Sequence, residues 1–241
     1  MPNPVFDPLP DELVNALESM PRDELAQLRE KLIAERNHPR RLKEMRRVLG
    51  ERTQWLSIVL EDIFQPHNSS AVLRTAECFG VQTVHVVEKS RKFKISNQVA
   101  MGGAKWIDVE RYDQTPDCLD KLRAQGYRCA AATLRDDALP LDEVPLDKPL
   151  AVLIGHERRG LSEAAHDAAD VWFKLPMHGF TQSYNLSVFS SLCLYELTQR
   201  LRDSDLPWRL SEEEKERILT RWLCQDAKAI ENFACNILLH R

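Results

Sequence analysis

Long apolar runs are missing from this 241-residue chain. No stretch approaches the ~18–20 continuous apolar residues of a membrane span, and no membrane partner is expected. The first residues, Met1-Pro2-Asn3-Pro4-Val5-Phe6-Asp7, lack a basic n-region and an apolar h-region, so no secretory signal is expected either. Paired cysteines are missing as well. Cys78, Cys118, Cys129, Cys193, Cys224 and Cys235 are scattered, with no C-x-x-C. Several fall within apolar runs, which suits reduced, buried thiols better than disulfides or zinc ligands. The expectation is a cytoplasmic protein. The histidines make no metal-ligand spacing and no Ser-His-Asp arrangement is legible, so no metal is expected and covalent catalysis is disfavoured.

An excess of positive charge is also absent. The net charge of −4 excludes a globally basic nucleic-acid binder, but its distribution says more than its sum. Arg36, Arg40, Arg41, Lys43, Arg46, Arg47 and Arg52 stand against only Glu44 and Glu51, so this segment carries +5 and the rest of the chain −9. Lys89-Ser90-Arg91-Lys92-Phe93-Lys94 sets an aromatic among four cations. Patches of this kind can neutralise phosphates even on an acidic protein. A solvated basic helix face is the alternative for the first of them.

What is present is enough apolar material, 43% of residues, for a full core. Residues 9–49 read as a helical arm with apolar stripes at Leu13, Leu17 and Met20 and at Leu25, Leu28 and Leu32, broken at Pro21 and Pro39. From residue 56 the pattern alternates. Strands are expected over 56–60, 81–87, 127–133, 150–154 and 171–175, and helices over 69–79, 116–125, 161–168 and 186–201. Such alternation argues for an α/β fold, a mostly parallel sheet with helices on both faces. The helix over 186–201 is apolar on most sides, as in a helix buried all round or shared with a partner. Ser211-Glu212-Glu213-Glu214 reads as a capping box opening a final helix. The expected organisation is an N-terminal arm over 1–52, a main domain over 53–202 and a helical extension over 203–241.

Three polar loops stand where strands give way to helices: Asn68-Ser69-Ser70-Ala71-Val72-Leu73-Arg74, Gly155-His156-Glu157-Arg158-Arg159-Gly160-Leu161-Ser162 and Gln182-Ser183-Tyr184-Asn185-Leu186-Ser187. The crevice at the carboxyl ends of the strands is where open α/β sheets bind ligands. Asn68 alone reads as a helix N-cap. Arg74, in the second turn of an apolar helix, either snorkels at a rim or binds phosphate bidentately. The second loop lacks the P-loop ending and the G-x-G-x-x-G spacing, so its glycines suit close backbone approach to a flat ligand. The third, running from Leu175, is long for a βα connection, and Ser183 could cap the next helix.

The order N-x-x-A-x-x-R, G-x-E-x-x-G-L-S, L-P-M-x-G-x-x-Q-S-x-N-x-S resembles the three motifs of the SpoU/TrmH branch of the SPOUT RNA methyltransferases, over roughly residues 56–200. The resemblance implies a sheet with a deep trefoil knot in its C-terminal part, an exception to unknotted topology. It implies a homodimer that binds S-adenosyl-L-methionine (S-adenosylmethionine) and methylates ribose 2′-hydroxyls of RNA. Matched motif by motif, the catalytic set is Asn68, Arg74, Glu157, Ser183 and Asn185. Cofactor contacts fall on Thr133, Leu134, Ile154, Gly155, Leu175, Met177, Tyr184 and Leu186, with Tyr184 standing where Leu is usual. Arg40, Arg41, Arg46 and Arg47 are the expected RNA-binding cations. A sulfonium methyl is already activated, so alignment and help with a weakly acidic hydroxyl suffice. An Arg stays protonated, which makes Arg74 a stabiliser of the developing alkoxide. The favoured substrate is tRNA, as for the enzymes acting on the D-loop guanosine. The alternatives are an rRNA ribose methyltransferase and a non-catalytic RNA-binding protein of the same fold.

Overall fold

Proline sets the breaks in the N-terminal arm. Helix α1 (Asp11–Ser19) ends before Pro21, and the Pro21 carbonyl accepts from Leu25 N in the first turn of α2 (Arg22–Arg36). Pro39 opens α3 (Pro39–Leu49) at a position whose N–H would have no helical partner anyway. The computed structural model describes residues 9–36, 38–90, 92–100 and 102–226. By contacts the chain divides into two units, Thr53–Trp208 and the combined segments Met1–Arg52 and Arg209–Arg241.

In the larger unit, strand β1 (Leu56–Glu61) is buried at every position, and α4 (Pro66–Cys78) follows. The other elements, in chain order, are β2 (Thr83–Val87), α5 (Asn97–Ala100), β3 (Asp108–Tyr112), α6 (Thr115–Ala124), β4 (Arg128–Ala132), β5 (Leu139–Pro140), β6 (Leu150–Ile154), α7 (Glu163–Asp167), β7 (Val171–Lys174) and α8 (Leu186–Arg202). The strands form one sheet in the order β3-β2-β1-β6-β4-β7-β5, every pair parallel. The expected α/β sheet is therefore present. Two strands were not expected: β3, a half-buried edge strand with charges at Asp108, Glu110 and Arg111, and the two-residue β5.

Pleating divides the sheet's residues between two faces. Val59, Val87, Cys129, Ala131, Ala151 and Leu153 share one, covered by Cys118, Leu119 and Leu122 of α6 and Ala165 of α7. Phe173 of β7 points to the other, where it stacks on Phe189 of α8 at 6.1 Å. Helices α8 and α4 pack together there, so both faces are covered. Val72, Leu73 and Ala76 of α4 are fully buried, whereas Ala71 and Phe79 are only half-buried. Gly80 ends α4 at φ +81°, a left-handed conformation that lets Val81 N reach back to Ala76 O.

The four cysteines Cys118, Cys129, Cys193 and Cys224 are buried and unbridged, and Cys78 is exposed; Cys235 lies outside the described residues. Burial pushes the Cys129 thiol up to about 11. Such thiols behave as small hydrophobes. No helix among the described residues is long and apolar enough to cross a membrane.

In the smaller unit, α9 (Glu212–Asp226) packs on α1, α2 and α3. It opens with the expected capping box: Ser211 N donates to Glu214 Oε2 at 2.7 Å, and Glu214 N to Ser211 Oγ at 3.3 Å. Leu13, Leu17, Leu25 and Leu32 on one side and Ile218, Leu219, Trp222 and Leu223 of α9 on the other are buried in this unit. Arg52, expected in a basic patch, is instead fully buried with its guanidinium 5.3 Å from the Trp222 ring.

Candidate active site

Strand order assembles the site. Strands β1, β6, β4 and β7 lie side by side, with Leu60 opposite Ile154, Ala131 opposite Leu153 and Ala132 opposite Phe173. Their carboxyl ends are therefore level. The loop to Asn68 leaves β1, the loop holding Gly155 and Glu157 leaves β6, Thr133 and Leu134 follow β4, and Leu175 to Asn185 follow β7. Four loops that are far apart in sequence share one rim.

The helix that carries Asn68 begins three residues earlier than expected. Pro66 occupies its first turn and Gln65 is its N-cap, so Asn68 is not the cap but sits inside the first turn, only 4% exposed. Its side chain joins the other loops. Asn68 Nδ2 donates to Glu157 Oε1 at 3.1 Å and to Gln65 Oε1 at 3.3 Å, while Asn68 Oδ1 accepts from Asn185 Nδ2 at 3.2 Å. Asn185, not Ser183, is the N-cap of α8, and its Oδ1 accepts from Ser187 N at 2.9 Å and from Ser187 Oγ at 2.6 Å. The amide orientations of Asn68 and Asn185 are thus set by their neighbours.

Glu157 is the hub. It also accepts from Phe64 N and Gln65 N, each at 3.1 Å. Burial opposes its ionisation, but the Asn68 amide and the backbone N–H groups outweigh it and hold the carboxyl below its usual range. A carboxylate so occupied by donors orients groups; it is a poor base.

Arg74 and Ser183 stand apart from this network. Arg74 is in the third turn of α4 rather than the second and is exposed, and its side chain has no hydrogen bond or ion pair among the described residues. Its charge reaches water directly. Ser183 is exposed in the β7–α8 loop, also without a hydrogen bond among the described residues.

The remaining candidates line the rim. A Cβ on Gly155 would lie 2.2 Å from Gly160 C and Leu161 N, so the two strands of this loop pass at a separation only glycine permits. Ile154 and Leu186 are buried, and Leu175, Met177 and Thr133 are half-buried. Leu134 is 63% exposed and Tyr184 39%, an apolar margin that a flat ligand would cover. The Tyr184 hydroxyl donates to Pro176 O at 2.9 Å, closing the loop on itself.

One supporting residue was not legible. Glu61, 3% exposed at the end of β1, accepts from Ser162 N and Ser162 Oγ at 2.7 Å each, from Lys89 Nζ at 3.0 Å and from Thr115 Oγ1. It holds the far end of the 155–162 loop, and these donors keep its carboxyl below the usual range against the cost of burial. A charged residue closing an apolar strand is the signal that could have found it.

Residues 55–195 match the model of the SpoU rRNA Methylase family. The chain belongs to this family. A tRNA (guanosine(18)-2′-O)-methyltransferase of Borreliella burgdorferi is 38% identical over 182 residues, 76% of this chain and 84% of that protein. The crystal structure of the A. aeolicus TrmH/SpoU tRNA modifying enzyme matches with a TM-score of 0.72 at 31% identity, over 78% of this chain and 97% of that one. The SpoU methyltransferase AviRb from Streptomyces viridochromogenes, solved in complex with the cofactor AdoMet, shares the fold at a TM-score of 0.58 and 20% identity, over 64% of this chain and 63% of that one.

The cations expected to meet RNA belong to the other unit of this SpoU methylase. Arg40, Arg41, Arg46 and Arg47 are all exposed on α3. Two of them have acidic partners: Arg41 pairs with Asp226 at 3.1 Å, and Arg47 with Glu44 at 2.7 Å. Pairs this exposed hold weakly and can be exchanged for phosphate contacts.

Proposed function

We propose that this chain transfers a methyl group from S-adenosylmethionine to the ribose 2′-hydroxyl of a tRNA guanosine, at position 18 as in the named relatives. The observation that carries the reading is the hydrogen-bonded chain Glu157–Asn68–Asn185, which joins all three motifs at one rim. When bound, S-adenosylmethionine supplies a methyl already activated by its sulfonium. Thr133, Leu134, Ile154, Gly155, Leu175, Met177, Tyr184 and Leu186 would hold it, and the apolar margin at Leu134 and Tyr184 fits an adenine. Asn68 and Asn185 present rigid amides that position the ribose. Ser183 adds a hydroxyl that is open to substrate. The Arg74 guanidinium, protonated throughout, stabilises the developing alkoxide.

The reading includes a homodimer. Val188, Leu192 and Tyr195 recur along one side of α8 and are 48%, 41% and 57% exposed, a stripe suited to a second copy. Arg74, with no partner among the described residues of its own protomer, then serves the site of the other. The trefoil knot implied by the family and RNA contacts from Arg40, Arg41, Arg46 and Arg47 complete the proposal.

The test is to incubate the protein with S-adenosylmethionine and either tRNA or rRNA and to map the methyl. A 2′-O-methyl at guanosine 18 supports the reading. Methylation of rRNA alone would move the substrate, and no methylation of either RNA by a folded protein that binds the cofactor would overturn it.

A further inference from the structure

The long loop between β7 and α8 ends in an aromatic tip. Tyr184 donates its hydroxyl to Pro176 O, tying residues eight apart into a closed loop. Phe180 stands midway between them and is fully exposed, at 107% of its reference area. A phenyl ring held wholly in water forgoes the burial that ordinarily stabilises it. The tie at its base limits how far the loop can fold the ring away.

The location narrows what the ring meets. The same loop carries Ser183 and ends at Asn185, whose amide is fixed on Asn68. No Asp or Glu occurs between Lys174 and Glu196, and the segment opens on the cation Lys174. A polyanion can approach without repulsion from this segment. The group with a flat apolar face on a polyanion is a nucleobase, and exposed aromatics at such sites stack bases with little regard to sequence.

We propose that Phe180 is a stacking platform for an unpaired nucleobase of the RNA substrate, presented by the Tyr184–Pro176 tie. The proposal rests on the RNA methyltransferase reading. It assigns Phe180 to substrate binding and leaves cofactor binding to the residues already named. Tyr184 thereby has two parts: its ring belongs to the cofactor margin, and its hydroxyl shapes the loop that carries Phe180.

The experiment measures steady-state methylation of a tRNA transcript, with calorimetry of S-adenosylmethionine and sedimentation, for the unaltered protein, Phe180→Ala and Phe180→Trp. Loss of one stacked base raises the KM for tRNA by roughly tenfold in Phe180→Ala. Cofactor affinity and oligomeric state stay unchanged, and Phe180→Trp stays near the unaltered value. An unchanged KM for tRNA in Phe180→Ala overturns the proposal while leaving methyl transfer intact. A loss of cofactor affinity would place the ring in the cofactor pocket, and a change in sedimentation would place it in a protein interface; either overturns it. Failure of the unaltered protein to methylate tRNA would instead bring down the reading beneath it.

Discussion

Asn68 and Arg74 lie six residues apart on one helix and could hardly be more differently treated. Asn68 is buried and its amide is bonded to Gln65, Glu157 and Asn185. Arg74 is exposed, and its side chain meets none of the described residues through a hydrogen bond or ion pair. In the proposed function the difference separates two tasks. Positioning demands rigidity, which a protomer can build in advance from its own loops. Stabilising a charge that exists only in the transition state demands a cation that is not already neutralised by a neighbour.

The largest effect expected from breaking this contrast is on rate at Arg74. Arg74→Ala should slow single-turnover methylation by on the order of 100-fold or more. An exposed side chain outside the core contributes little to stability, so Tm and cofactor affinity should be nearly unchanged. Arg74→Lys should recover only part of the rate, because an ammonium lacks the planar fork. Asn68→Ala should lose rate to a similar extent and lose stability besides. It strips a donor from the Glu157 carboxylate and a partner from Asn185, and should cost about 1–3 kcal/mol in denaturant unfolding as well as rate.

The carboxylates give a pH signature. Glu61 and Glu157 both have folded values held below the ordinary 4.5. Their contribution to stability is therefore fully present above that value and is lost as pH falls through the lower, folded one. Thermal melts should be flat with respect to these groups near neutrality and fall in acid, and Glu157→Gln should shrink the acid fall. The smallest effect belongs to the basic arm. Replacing Arg40 and Arg46 by Ala should reduce the slope of RNA affinity against log salt by about one for each phosphate that is no longer neutralised, with cofactor affinity unchanged.

Much of this contrast was legible and part was not, for identifiable reasons. The buried strands β1 and β6 announce themselves as apolar runs, and the capping box at Ser211 is a local signal that the fold repeats. Strand β3 escapes because an edge strand carrying Asp108, Glu110 and Arg111 has no apolar run to show. Asn68 reads as a cap on residue preference alone, whereas Pro66 in the first turn moves the helix start ahead of it. The bond from Asn68 to Glu157 spans 89 positions and exists because β1 and β6 are neighbours. Alternation of strands and helices does not encode that adjacency. Motif order names the candidates, but only the fold separates the bonded Asn68, Glu157 and Asn185 from the open Arg74 and Ser183.

In the proposed homodimer the amide network serves its own protomer's site while Arg74 serves its partner's. Co-expression of Arg74→Ala with Asn68→Ala tests it directly. In a mixed dimer one site then keeps an intact Asn68 and an intact Arg74, and the other has neither. With random pairing, methylation should return to about a quarter of the unaltered activity, although each variant alone is nearly inactive. A mixture no more active than its parents would contradict the claim and place Arg74 in the site of its own chain.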